Sequence, residues 1–534
     1  MNNPSSASIG IVGAGPGGLA AAMILAASGL RVTVYEKEAT VGGRTMRLSL
    51  TGRDATGRAA TERAAYHFDR GPTFFLMPYV LQEIFSAAGR RLADEVELTR
   101  LDPMYRLVMG RHNDRDLIVD CTQDLTLMAK RLAAIDPDDG EAFAGFIEAN
   151  RAKLEVFTPV LRAGFKSFTD LFDPAMLKAV PHLGPTRSVH ADLGRHFKNP
   201  YVKLAMSFQS KYLGMSPFKC PSLFTILPFI EYEYGIWHPR GGCNALMDAM
   251  ARITTELGGD VRCGSPVQSI VYSGTRATGV VVDNRTIAHD HVIINADASW
   301  AMKNLIPPAL RRKWTDRKLD GMKYSCSTYM LYLGLRDEVD LPHHTIRIAR
   351  DYEQNIREIA ETMKLSDDPS VYVCNPSRTD PTLAPPGRSA LYVLVPTPNQ
   401  KSGIDWAREA PGMREKTLDR VSALIGRDVR PLIDAELQLT PADWQGSNIN
   451  FGATFNLAHG LDQMLHLRPQ HELPDVENTW LVGGGTHPGS GLPVIFLSSE
   501  ITTRLICAEE GIRDPMSAAP PQHAVRRLHA AATA

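Results

Sequence analysis

Three hydrophobic patterns run along the chain. Short unbroken apolar runs occur at 9–12, at the run VIINADAS from Val292, and at 479–482. Such runs read as strands buried on both faces of a parallel sheet. Alternating, β-branched runs form the second pattern. RVTVYEKE (31–38) reads as a strand ending at Glu36, and 267–271 with 278–282 read as a hairpin. TYMLYLGL (328–335), SVYVCN (370–375) and SALYVLVP (389–396) read as further strands. Helical periodicity is the third pattern. It covers LAAAMILAASGL (19–30), 124–150, 241–257 and 492–506, the last with Pro493 in its first turn, a favoured place for proline. The low-complexity stretch 516–534 is expected to be disordered, and no internal repeat is visible.

The turns between these elements carry chemistry. The first apolar run is followed by GAGPGG, which places Gly13, Gly15 and Gly18 in a G-x-G-x-x-G array. Gly13 permits a tight turn, Gly15 lets backbone approach a pyrophosphate, and Gly18 lets helix and strand pack closely. The helix that follows offers free N–H groups and a positive dipole end to phosphate. Glu36 stands 23 residues after Gly13, placed to accept hydrogen bonds from a ribose. Strand, glycine turn, helix, strand and acid together predict a dinucleotide site. A second glycine-rich loop, Gly483-Gly484-Gly485-Thr486-His487-Pro488-Gly489-Ser490-Gly491, feeds the helix at 492–506. It suits the presentation of backbone N–H groups to an anionic or carbonyl edge such as a flavin ring. His487 within it is the candidate acid–base or flavin-tuning group, against the alternative of a histidine that hydrogen-bonds its own loop. Asp69 and Arg70 read as an ion pair or turn contact, or as site residues. His343 and His344 read as structural.

Beyond Glu36 the chain continues KEATVGGRT, with Gly42, Gly43 and Arg44. This extension resembles that of FAD-containing amine oxidases and carotenoid desaturases, where the glycines pass near the pyrophosphate and the arginine faces it. The loop LVGGGTHPGSGLPVIFLSSE, with HFDRGPTFF (67–75), GIWHPRGGCNAL (235–246), VIINADASW (292–300), YSCSTYMLYLGL (324–335), LPHHTI (341–346) and LAPPGRSALYVLVPTPN (383–399), resembles the bacterial-type phytoene desaturase family across about 8–512. The resemblance implies FAD rather than NAD. It also implies an α/β fold of amine-oxidase type, in which a discontinuous Rossmann-type FAD domain (1–100, 230–310 and 472–515) carries an inserted α+β substrate domain (101–229 and 311–471). By motif position Gly13, Gly15, Gly18, Glu36, Gly43 and Arg44 hold adenosine and pyrophosphate. Gly71 and Pro72 approach the flavin, and Gly485, Thr486, Gly491, Leu492, Pro493 and Val494 lie at its ring end. The implied substrate is a membrane-dissolved polyene of phytoene or diapophytoene type. A carotenoid isomerase or oxygenase, an amine-oxidase-like enzyme on a polar substrate, and a flavin-free isoprenoid escort are the other readings.

Composition narrows this further. In 534 residues, 58 Lys and Arg nearly balance 59 Asp and Glu, giving a net charge of −1 with 44% hydrophobic residues. This excludes a disordered chain, a disulfide miniprotein and a globally basic nucleic-acid binder. Seven widely spaced cysteines, without a C-x-x-C pair, are expected to be reduced thiols, and no metal site is expected. Residues 1–8 make a poor signal peptide, and the apolar stretch 19–30 is too short to span a bilayer. A cytoplasmic protein attached to the inner face of the membrane is expected. The segment 151–213 holds ten basic and four acidic residues, 10 − 4 = +6, interleaved with apolar ones. With PSLFTILPFI (221–230) it is the expected docking region, 151–230, for an anionic membrane surface. With one dinucleotide fingerprint in the chain, oxygen or a quinone is the expected electron acceptor.

Overall fold

The computed structural model describes residues 7–52, 65–112, 115–165, 167–184 and 186–518. Of the expected disordered tail only 516–518 are described, in a short turn (Pro515–Ala518) where Met516 is buried. The remainder, 519–534, lies outside the described residues.

The apolar runs assemble into a five-stranded parallel sheet. Its order is Thr479–Leu481, His291–Ile294, Ser8–Val12, Arg31–Tyr35 and Asp260–Arg262. Ile11 pairs with Ile293 on one side and Val34 on the other, and all three are inaccessible. The helix Pro16–Ala27 covers one face, with Leu492–Glu509 and Asn244–Glu256 packed against it. It is apolar all round and Ala20, Ala21 and Ala22 are fully buried, as a helix sandwiched between a sheet and two further helices must be. A three-stranded antiparallel sheet and the helix Ala298–Leu305 cover the other face.

A second sheet has seven strands, ordered Ile433–Leu439, Ser327–Leu335, Ser389–Thr397, Val371–Cys374, His344–Arg347, Tyr105–His112 and Arg115–Cys121. The three strands expected between 328 and 396 lie in it. The hairpin at 105–121 joins it through a parallel pairing of Thr345 with Arg106, so the expected substrate segment 101–229 opens with strands ahead of its helices. The expected helix at 124–150 is two, Leu125–Ala133 and Pro137–Leu161. Asp124 and Asp136 each cap one, accepting from the N–H groups of Leu127 and Asp139, and Pro137 takes the favoured first-turn place of the second. The hairpin Arg47–Thr51/Ala65–Asp69 turns Tyr66 and Phe68 onto Met330, Tyr332 and Trp444 of the larger sheet's core. Residues 1–100 therefore supply strands to the parallel sheet and a separate hairpin that packs against the larger one.

All seven cysteines are free thiols, five of them buried, with Cys326 partly buried and Cys263 exposed. Among the described residues no helix is long and apolar enough to cross a membrane.

Candidate functional site

A cavity of about 450 Å³ lies between the two sheets. Its wall has two halves. The carboxyl edge of the parallel sheet supplies Gly13, Gly15, Glu36, Gly43 and Arg44, and the seven-stranded sheet supplies Met330, Ile346, Tyr372 and Leu394. The site thus sits outside the carboxyl ends of parallel strands, where open α/β sheets place their ligands.

The fingerprint turn is over-determined. Gly13 has φ +98°, a conformation disfavoured for side-chain-bearing residues, and its N–H donates to the Tyr35 carbonyl at 2.8 Å. A Cβ on Gly18 would collide with the Gly13 carbonyl, so its role is close packing, and Gly18 does not line the cavity. Glu36 is buried, and its two carboxylate oxygens accept from the N–H groups of Ala14 (2.8 Å) and Glu38 (3.0 Å). Each oxygen retains a lone pair for a further donor such as a ribose hydroxyl. The helix Pro16–Ala27 starts at Gly15 with no side-chain cap, which leaves first-turn N–H groups for an anion. Asn295 was not anticipated. It ends the apolar run from Val292, and its Nδ2 donates to the Gly13 carbonyl at 3.0 Å.

Arg44 lines the cavity, as do Gly43, Gly71 and Pro72. Its guanidinium donates to the Thr454 carbonyl at 2.6 Å and to Asn456 Oδ1 at 3.0 Å. Burial pulls its pKa below the usual arginine value, while Asp297 opposes that shift. Asn456 in turn donates to Ser490 Oγ at 3.2 Å, so Arg44 links the extension after Glu36 to the C-terminal glycine loop. The hydroxyls of Thr45 and Thr454, both in the cavity wall, are buried without a hydrogen-bond partner. Orphaned polar atoms beside a free helix N-terminus, a carboxylate and a guanidinium fit an extended dinucleotide with polar linkages.

In the C-terminal loop Gly483, Gly484, Ser490, Gly491, Leu492 and Pro493 line the cavity, whereas Gly485, Thr486 and Val494 do not. Gly485 is pressed against Ala298, where a Cβ would lie 2.7 Å from its methyl. Fully buried Arg468, also unanticipated, holds the loop by donating to the carbonyls of Gly484 (2.7 Å) and Thr486 (3.2 Å). His487 corrects an expectation. It does not line the cavity but packs edge-on to Phe165, with ring centroids 4.9 Å apart. Burial lowers its pKa to about 4, so at neutral pH it is an uncharged ring behind the wall. Asp69 and Arg70 are not paired with each other. Asp69 accepts from the N–H groups of Cys243 (2.8 Å) and Asn244 (3.0 Å) at a helix start, and Arg70 donates to Ser447 Oγ at 2.6 Å and lies over Trp444.

The apolar half holds ionisable groups at low dielectric. Lys211 lines the cavity with its ammonium over the Tyr352 ring, 4.8 Å from the centroid, and burial lowers its pKa to about 7. Inaccessible Glu231 accepts from Tyr105 Oη (2.8 Å) and Gln209 Nε2 (3.0 Å), and burial pushes its pKa up to about 7. Tyr372 Oη shares hydrogen bonds with Thr73 (2.6 Å) and His344 Nδ1 (2.7 Å). The arrangement can hold a dinucleotide on one side and an apolar chain on the other.

A family profile for flavin-containing amine oxidoreductases matches residues 16–500. A Methylomonas sp. 4,4'-diapophytoene desaturase (4,4'-diapolycopene-forming) is 42% identical over 94% of this chain and 96% of its own. A Myxococcus xanthus all-trans-zeta-carotene desaturase is 38% identical over 94% and 93% respectively. A crystal structure of an oxidoreductase from Methanosarcina mazei shares the fold at 16% identity, with a TM-score of 0.62 over 92% of this chain and 98% of that one.

Two outcomes are expected. Gly18→Val should force the fingerprint apart and yield protein without bound dinucleotide, read as loss of visible cofactor absorbance after gel filtration; full occupancy would contradict the packing role. Glu231 has its pKa raised from 4.5 to about 7, so its stabilising contribution is complete below pH 4.5 and is lost as pH rises through about 7. Glu231→Gln cannot ionise, and its melting temperature should fall less than that of the wild type between about pH 5 and about pH 8.

Proposed function

The chain belongs to the flavin-containing amine oxidoreductase family, in its bacterial-type phytoene desaturase branch, and from that premise we propose that it desaturates a long apolar polyene precursor of phytoene or diapophytoene type with FAD as cofactor. The observation that carries this reading is the 42% identity to a diapophytoene desaturase over almost the whole length. The cavity, half dinucleotide site and half aromatic and aliphatic wall, agrees with it.

FAD, when bound, supplies the hydride acceptor that desaturation of a carbon–carbon bond requires. Glu36, Arg44 and the start of the helix Pro16–Ala27 hold the dinucleotide. Phe74, Met330, Ile346, Tyr372 and Leu394 hold the carbon chain by shape, since it carries no polar handle. Their packing excludes water from the reacting carbons. Discrimination by such a wall is shallow, because one methylene is worth about 1–3 kcal/mol. For reoxidation we propose oxygen or a quinone.

We further propose that the protein docks peripherally on the inner face of a membrane, and the support is apolar rather than cationic. Within 151–213 six of the ten basic residues, Arg151, Lys153, Arg162, Arg187, Arg195 and Lys198, are ion-paired. Lys211 is buried, and Lys166 lies outside the described residues. Phe168 (61%), Phe172 (62%), Leu177 (54%) and Val180 (47%) are instead exposed on the turn Phe168–Phe172 and the helix Pro174–Leu183. Apolar side chains displayed this way suit shallow insertion into a lipid interface.

Two experiments test these readings. The FAD-loaded enzyme, given phytoene or diapophytoene in liposomes, should form products lighter by pairs of hydrogens in mass spectrometry; unchanged mass would indicate an isomerase and added oxygen an oxygenase. Phe168→Glu with Phe172→Glu should weaken flotation with neutral and anionic vesicles at least about tenfold, from about 1.5–3 kcal/mol per buried phenylalanine. Lys178→Glu with Lys203→Glu should change flotation little. Unaltered flotation of the phenylalanine variant would end the docking proposal.

A further inference from the structure

The strands Val371–Cys374 and His344–Arg347 pair antiparallel with His344 directly opposite Cys374. Side chains at directly opposed positions project from the same face of a sheet. His343 stands just before its strand, and its carbonyl accepts from the N–H of Asn375, the residue after Cys374. The side chain of Asn375 donates to the carbonyls of Val339 (3.1 Å) and Leu341 (3.2 Å), holding that approach in place. The two imidazole rings meet edge to face, with centroids 4.4 Å apart. One potential ligand atom from each of His343, His344 and Cys374 lies within 4.8 Å of the others, and all three residues are buried.

Hydrogen bonding leaves one nitrogen of each imidazole unsatisfied. His343 Nδ1 is bonded to Thr379 Oγ1 at 2.8 Å and His344 Nδ1 to Tyr372 Oη at 2.7 Å. The Nε2 atoms of both rings are buried and have no partner. Two adjacent imidazoles with unmade bonds carry an uncompensated desolvation cost that a ligand would relieve. Burial holds both rings well below the ordinary histidine pKa, so at neutral pH they are uncharged. A hydroxyl on each Nδ1, an open Nε2 and a thiol nearby is the pattern by which an outer group orients a metal-ligating histidine.

We propose that His343, His344 and Cys374 bind a thiophilic metal cation, Zn²⁺ foremost, behind the cavity wall. Two imidazoles and a thiolate suit Zn²⁺ and disfavour Mg²⁺ or Ca²⁺, which require oxygen ligands. Coordination replaces the Cys374 S–H bond with a metal–sulfur bond and releases the proton to solvent. Burial raises the free thiol's pKa, and the cation's charge overcomes this. Negative charge is at hand, since Asp69 acts on Cys374 and Asp380 is bonded to His238, whose ring packs 4.7 Å from His343. His344 also stacks on Phe74 at 4.1 Å and holds Tyr372, both in the cavity wall. The cation would therefore stiffen the wall against which a ligand packs. The inference stands independently of the polyene reading.

The test uses the full-length, FAD-loaded protein. Elemental analysis after gel filtration without chelator should find about one Zn²⁺ per chain, and Co²⁺ exchange should give a near-ultraviolet thiolate-to-cobalt band. Cys374→Ser should lose both. Thr379→Val keeps every ligand and should bind Zn²⁺ about 10–100-fold more weakly in competition with a chromophoric chelator. Stripping Zn²⁺ should lower the melting temperature of the wild type and leave that of Cys374→Ser unchanged. A wild type that neither contains nor takes up Zn²⁺ or Co²⁺ overturns the proposal, as does full metal content in Cys374→Ser. If that variant fails to fold, Thr379→Val decides, and unchanged affinity overturns it.

Discussion

Asn295 Nδ2 donates to the Gly13 carbonyl at 3.0 Å, and the same carbonyl lies against the Cα of Gly18 with no room for a side chain between them. Three elements converge there: the end of the first strand, the start of the helix Pro16–Ala27, and the end of the strand His291–Ile294. The turn's remaining bonds follow from this junction. Glu36 binds the N–H of Ala14, and Gly43 comes within reach of Gly15, where a Cβ would lie 3.3 Å from its Cα. From Arg44 the connection continues through Asn456 and Ser490 into the C-terminal loop. A dinucleotide site gathered from stretches hundreds of residues apart is held in register by a few buried polar contacts, each stronger for being away from water.

The other half of the cavity obeys the opposite requirement. It must accept a carbon chain, so its wall is apolar, and burial moves several ionisable groups within or behind it away from their usual values. Lys211 is pulled down and Glu231 pushed up, both by loss of water. His343, His344 and Cys374 are held in their neutral forms for the same reason. Low dielectric thus shapes an apolar binding wall and makes unpaired polar atoms beside it costly.

Much of the nucleotide half was legible in the sequence because its logic is local. Gly13, Gly15, Gly18 and Glu36 act within a single strand–turn–helix–strand unit, so spacing along the chain reports distance in space. The C-terminal loop was legible as a loop, but which residues face inward was not. His487 points away because Phe165, over three hundred residues earlier, packs behind it. Arg468 and Asn456 went unrecognised because a lone polar residue between turns has no periodic or motif signature. The charge excess of 151–213 was visible as a sum, yet ion pairs with Glu83, Glu233 and Glu500 consume much of it.

The sequence by itself determined that the chain builds a parallel nucleotide sheet with a glycine turn, and that a strand-rich unit accompanies it. Those properties follow from backbone geometry and hydrophobic period, which neighbouring residues set. Only the tertiary structure decided that His343 and His344 meet Cys374, some thirty residues on. It also decided that Asn295 reaches Gly13 and that Phe168, Phe172, Leu177 and Val180 are exposed. Strand register and helix packing place side chains from distant stretches on one face, and no local pattern records which stretches those are.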